Sequence, residues 1–228
     1  TNKQISMAQS ILIIAESGAG KSTAGRHLDP KETFWINVAN KPLPFKGWKN
    51  KYKKLNKDNL DGNLSSVATP TGILKAMEYV SNERPEIKTL IVDDWQYMSA
   101  FEYFDRADEV GYAKFTDIGK WLAKVAKKPI SLREDLFIFF MTHSEETTDY
   151  KGKRKQKAKT IGKMVDEGLF SIVLYGKIMQ NENGDTKYVF ETTSDGSNTC
   201  KAPMGMFDTE IIPNDLKIVK EAIVEYEK

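Results

Sequence analysis

Short apolar runs, each bounded by glycine, proline or charge, punctuate this chain and set its architecture. Ile11-Leu12-Ile13-Ile14 is apolar at every position. That predicts a strand buried on both faces rather than one wetted on alternate residues. The same character recurs in Phe34-Trp35-Ile36-Asn37-Val38, in Thr89-Leu90-Ile91-Val92-Asp93-Asp94, and in Leu136-Phe137-Ile138-Phe139-Phe140-Met141, which ends at Thr142-His143-Ser144. Between these runs the apolar spacing becomes helical. Thr69-Pro70-Thr71 predicts a helix entry, with Ile73 to Val80 carrying the buried face. Residues 95–128 predict a long helical region interrupted near Gly111. Further on, Gly162–Leu169 predicts a helix and Phe170–Met179 a strand. Asn183-Gly184 sits in the turn 181–185, the strongest short hairpin signal, and Thr186–Thr193 pairs back. Asp195-Gly196 marks another turn. The tail Asn214–Tyr226 predicts a helix with Asn214 as its cap.

Alternating strands and helices, with uniformly apolar strands, predict an α/β fold: a mostly parallel sheet with helices on both faces and a C-terminal antiparallel hairpin extension. No repeat or linker divides the chain, so one domain over 9–228 is expected, with 1–8 a flexible N-terminus. A 40% hydrophobic content supports one core at this length. No apolar run is long enough to span a bilayer, and none reads as a secretory signal. A lone Cys200 rules out an internal disulfide and suits a reducing cytoplasm.

The net charge of +2 conceals an asymmetry. Lys151, Lys153, Arg154, Lys155, Lys157 and Lys159 crowd one segment, and the rest of the chain is net acidic. A second basic stretch, Lys41 to Lys57, interleaves Phe45, Trp48 and Tyr52. Such mixing suits nucleic acid, but equally a surface segment whose aromatics pack inward.

The first apolar strand runs into Ala15-Glu16-Ser17-Gly18-Ala19-Gly20-Lys21-Ser22-Thr23. This fits A-x-x-x-x-G-K-S between a strand and a helix, the context a phosphate loop requires. Gly18 and Gly20 permit backbone angles that turn amide N–H groups round a phosphate. A helix starting near Lys21 adds its positive dipole end. Lys21 would reach the β- and γ-phosphates and Ser22 would ligate Mg²⁺. Glu16 to Thr23 are therefore the expected nucleotide contacts, with ATP and Mg²⁺ the expected ligands.

Asp93, at the tip of a buried strand, is the expected second holder of the Mg²⁺ shell. Asp94 reads either as the acid that polarises the attacking water or as an ordinary strand-end residue, because adjacent strand residues point to opposite faces. His143, with Thr142 beside it, follows the next strand on the edge where ligands bind in open α/β sheets. There it could sense the γ-phosphate.

The order of these motifs resembles the RecA-like recombinase core: phosphate loop, acidic strand end, polar strand end, basic loop, hairpin, then Cys200-Lys201-Ala202-Pro203. The chain also resembles phage-encoded RecA-like or AAA-type ATPases of single-strand annealing and recombination, through Ile91–Met98, Lys201–Phe207 and Ile212–Leu216. The resemblance implies an ATPase in a bacterial host's cytoplasm that binds single-stranded DNA through residues 145–160, a flexible loop. It also implies a homo-oligomer, ring or filament, with nucleotide at the subunit interface and Lys201 reaching a neighbour's phosphate, and a single-strand binding protein as a further partner. One departure stands out. The family's water-activating glutamate follows the second core strand, where this chain has Val38-Ala39-Asn40. Glu16 or Asp94 would have to substitute, or hydrolysis is slow. A small-molecule kinase and a non-hydrolysing switch remain open alternatives. A GTPase does not fit, because Asn40-Lys41-Pro42-Leu43 lacks the aspartate that reads guanine.

Overall fold

The computed structural model describes residues 7–148, 152–159, 167–181 and 183–228. Its strands are β1 (Gln9–Ala15), β2 (Thr33–Asn37), β3 (Leu64–Ser65), β4 (Thr89–Asp93), β5 (Phe137–Thr148), β6 (Arg154–Ala158), β7 (Ile172–Gln180), β8 (Thr186–Glu191) and β9 (Ile211–Pro213). The helices are α1 (Trp48–Lys51), α2 (Pro70–Glu83), α3 (Gln96–Asp105), α4 (Ala113–Lys127) and α5 (Leu216–Tyr226). Six strands form a parallel sheet in the order β3-β2-β4-β5-β1-β7, and β8 and β9 extend it antiparallel. The fold is α/β with a mostly parallel sheet.

Both faces of the sheet are covered, which is why its strands are apolar throughout. Leu12, Ile14, Ile36, Val92 and Phe140 face one way, packed with α2, α3 and α4 through Ile73, Met77, Met98, Ile118 and Leu122. Ile11, Ile13, Trp35, Ile91 and Phe139 face the other way, against Ala24, Leu43, Tyr52 and the Leu216, Val219 and Ile223 stripe of α5. Each such side chain contributes about 1.5–3 kcal/mol on burial. Phe45 and Tyr52 of the lysine-rich stretch join this second layer, Tyr52 edge-on to Trp35 at 5.4 Å between ring centroids. There the inward-packed reading of the aromatics is the one observed.

α2 begins as its sequence predicts, with the Thr69 side chain accepting from the Gly72 amide and Pro70 in the first turn. The long helical region breaks into α3 and α4 around Gly111, whose φ is +95°. Two expectations need correction, and a third lies mostly outside the described residues. The chain after Gly20 forms a six-residue 3-10 helix, Ser22–His27, rather than an α-helix. Pro30 follows two residues after extended Leu28, and Gly25 abuts the Trp35 ring, so only a short, tight segment fits. The cap of α5 is Asp215, whose side chain accepts from the Lys217 amide at 3.0 Å, while Asn214 turns away toward the loop after β1. In the predicted helix 162–169, residues 162–166 lie outside the described residues and Glu167–Leu169 is a 3-10 turn.

Register decides what meets at the sheet's carboxyl edge. Ala15 is level with His143 on β5 and with Gly176 on β7, and Asn37 is level with Asp93. Ligands bind in open α/β sheets at this edge.

Candidate functional site

β1 ends at fully buried Ala15, and the chain reverses through Gly18 and Gly20 at φ +83° and +84°. At Gly20 a β-carbon would also lie 3.0 Å from the Tyr188 ring, so this glycine is required by space as well as by angle. Lys21 follows, buried. Its ammonium donates to the carbonyl oxygens of Ala15 at 3.0 Å and Glu16 at 2.9 Å. Burial pulls its pKa down, and the nearby Asp94 and Asp93 carboxylates work in the opposite direction.

Ser22 Oγ donates to Asp93 Oδ1 at 3.0 Å. Asp93 is buried, and desolvation together with neighbouring Asp94 pushes its carboxyl up to about 6. Asp94 lies just past β4 with φ 56°, a left-handed conformation that aspartate tolerates better than most residues. The reversal cancels the strand alternation and turns Asp94 into the same cleft as Asp93. Its Oδ2 meets Lys41 Nζ at 3.0 Å and its Oδ1 meets His143 Nε2 at 3.2 Å. Burial opposes its ionisation, but the hydrogen bonds from His143 and Lys41 prevail and hold the carboxyl down at about 2. An acid so far below neutrality is a poor proton acceptor.

These groups line a cavity of about 610 Å³ that includes Ser17, Gly18, Lys21, Ser22, Thr23, Asp93, Asp94 and His143. Amides at the loop, a buried ammonium and a hydroxyl–carboxylate pair can together hold an anion and a hard divalent cation. Other lining residues carried no local signal. Arg26 donates from Nη1 to the Thr23 carbonyl at 3.1 Å and to the Asn214 carbonyl at 2.8 Å. Lys41 is placed by Asn37, whose Oδ1 accepts from the Lys41 amide at 3.2 Å. Tyr188 and Asn214 close the rim from the hairpin and the tail. Only the level register of β2 and β4 could have pointed to Lys41; the others depend on tertiary packing.

Not every expected residue joins the cavity. Glu16 is exposed and contributes its backbone carbonyl to Lys21, its side chain bordering a neighbouring cavity. Thr142 is wholly buried. His143 is not at a strand end, because β5 continues to Thr148. Lys201 is exposed and bridges backbone to backbone with Val173, its amide donating at 2.9 Å and its carbonyl accepting at 2.8 Å, outside the cavity lining.

The segment expected as a flexible loop is, where described, a hairpin. β6 pairs antiparallel with the far half of β5, from Ser144 opposite Ala158 to Thr148 opposite Arg154. Five consecutive ladder pairs, and a hydrogen bond that the Gln156 amide donates to the Ser197 carbonyl at 2.7 Å, explain the order. The cations are therefore divided: Lys155 and Lys157 share one face, Arg154 the other. Lys157 pairs with Glu145 at 3.4 Å and Arg154 with Glu146 at 3.5 Å, which offsets part of the positive field. Lys153 and Lys159 flank the strand, and Lys151 lies outside the described residues.

Among the described residues no helix is long and apolar enough to cross a membrane. No protein-family model matches the chain, and a search of curated proteins finds no significant match.

Proposed function

We propose that the chain is a magnesium-dependent RecA-like nucleoside triphosphatase that takes ATP and acts on single-stranded DNA. The reading is carried by one convergence at the sheet edge: left-handed Gly18 and Gly20, the Lys21 ammonium resting on the loop's own carbonyls, and Ser22 hydrogen-bonded to Asp93. A phosphate entering the loop would draw the Lys21 donors off Ala15 and Glu16 and add the amides around Gly20 and Ser22. Lys41 and His143, both facing Asp94, would share in offsetting the terminal phosphate's charge.

Ser22 Oγ and, through water, Asp93 would hold Mg²⁺, which neutralises phosphate charge and orients it when bound. The donors fit this ion. Both are oxygen, and burial leaves the Asp93 carboxylate in want of a cation. Among the described residues no cluster of three or more His, Cys, Asp or Glu side chains could hold a metal by itself.

DNA would lie along the β5–β6 hairpin, held through phosphates and without base readout. Lys201, exposed and away from its own chain's cavity, would act on a neighbouring copy's phosphate in a homo-oligomer. The reading is tested by Mg-ATP binding to the chain and to Lys21→Ala, with phosphate release measured with and without single-stranded DNA. Mg²⁺-dependent binding lost in the variant, and turnover raised by DNA, are the expected results. No Mg²⁺-dependent affinity for any nucleoside triphosphate would remove the proposal.

A further inference from the structure

A second cavity, of about 450 Å³, opens beside the first, and Ser17 and His143 line both. Its other walls include Glu16, the first turn of α3 at Gln96, Tyr97 and Ser99, and Lys159 at the foot of the hairpin. The Lys159 amide donates to the His143 carbonyl at 2.8 Å, so the hairpin ends at this cavity.

Gln96 is its unusual feature. The residue is 6% exposed, and neither Nε2 nor Oε1 has a hydrogen-bond partner. Ser99 is close by, but its hydroxyl donates to the Gln96 backbone carbonyl at 2.7 Å. An unpartnered buried polar group is destabilising, because it gives up its bonds to water and gains none in return. Methionine would fill similar space without that cost, so the amide calls for something it meets in another state.

The loop indicates what that is. Lysine in such a loop reaches the β- and γ-phosphates, and here its ammonium sits against the carbonyls of Ala15 and Glu16. The terminal phosphate therefore belongs at the 15–17 end of the loop, where Ser17 faces both cavities. The side chains named earlier as water activators are poorly suited: Asp94 is tied to Lys41 and His143, and Glu16 is exposed.

We propose that the second cavity is the chamber from which water attacks the terminal phosphate, and that Gln96 is the residue positioning that water. This rests on the nucleotide reading above. Oε1 accepts from one O–H of the water and directs its oxygen at the γ-phosphorus. The new O–P bond forms as the bond from the γ-phosphorus to the β,γ-bridging oxygen breaks, its electron pair remaining on ADP. The water proton passes to a γ-phosphate oxygen, giving ADP and inorganic phosphate. The amide takes no proton; its contribution is orientation.

The test compares the whole chain with Gln96→Met and Gln96→Glu. Readouts are the thermal midpoint without nucleotide, Mg-ATP affinity, and the KM and kcat of phosphate release. Gln96→Met is expected to melt no lower than the parent, to bind Mg-ATP within about twofold, and to lose about a hundredfold in kcat. Gln96→Glu, which restores an acceptor, should recover part of kcat. Gln96→Met hydrolysing normally, or melting lower and losing affinity together with turnover, overturns the proposal. So does phosphate passing to an added small hydroxyl compound instead of water. If the parent chain binds no nucleoside triphosphate, the nucleotide reading falls and takes this one with it. If it binds and hydrolyses ATP but Gln96→Met does so equally, only the water assignment falls.

Discussion

His143 Nε2 stands 3.2 Å from Asp94 Oδ1, with Lys41 Nζ on the other oxygen at 3.0 Å. The arrangement depends on a backbone that has left the extended region, since Asp94 has φ 56°. A carboxylate so held between an ammonium and an imidazole is a fixed anchor for both, and it places them at the mouth of the glycine loop.

Asp94→Val is expected to cost about 1–3 kcal/mol, because a β-branched side chain resists the left-handed region. Asp94→Gly relieves the backbone and should cost less, while still releasing Lys41 and His143. Chemical unfolding of the two variants beside the parent checks the order. Equal losses would mean that the ion pairs, not the backbone, set the cost.

Lys21→Met should separate stability from ligand binding. Burial lowers the ammonium's pKa, so removing it relieves a desolvation penalty, and the variant should melt at or above the parent. The same variant should lose Mg-ATP binding. A melting temperature several degrees lower would show that the bonds to Ala15 and Glu16 are structural.

The hairpin carboxylates should restrain DNA binding. Glu145→Gln and Glu146→Gln release Lys157 and Arg154 and should tighten single-stranded DNA binding. Lys155→Gln with Lys157→Gln should weaken it and flatten the log–log salt dependence by about 0.7 per lost phosphate contact. Anisotropy titrations across a salt series read both effects, and three variants with one unchanged affinity would remove the hairpin from the interface.

Cys200 should be inert in the folded protein. It is buried, its Sγ is 2.7 Å from Asn198 Oδ1, and burial pushes its thiol up to about 12. A disulfide reagent at pH 8 should react only on unfolding. Because the folded value is raised, the neutral thiol's contribution to stability is complete below the unfolded value near 8.5 and is lost as pH climbs toward 12. The parent should therefore lose more stability between pH 9 and 11 than Cys200→Ala does.

Uniformly apolar strands, the Thr69-Pro70 entry and the Gly18–Ser22 loop were legible in the residues because each is a local demand of backbone or burial. Asp93 was legible for the same reason, as a charge at the end of an apolar run. Asp94 was half legible: strand alternation points it away, and only the left-handed reversal turns it back. The 3-10 turn after Gly20 reflects a squeeze between Trp35 and Pro30 that no local pattern shows. The hairpin looked like a loop because a two-stranded ribbon of lysine, glutamate and threonine lacks the apolar alternation that marks a strand. Arg26, Tyr188, Asn214 and Gln96 reach their cavities through packing alone.

The bond from Arg26 to the Asn214 carbonyl joins the first turn after the glycine loop to a residue 188 positions later. A chain emerging from the ribosome presents the loop residues early, but it lacks the strands that flank β1, and then that rim, until β5, β7 and residue 214 have been translated and have folded back. If the loop takes the nucleotide proposed above, a half-made polypeptide would hold it without this part of the rim, with timing written into the connectivity itself.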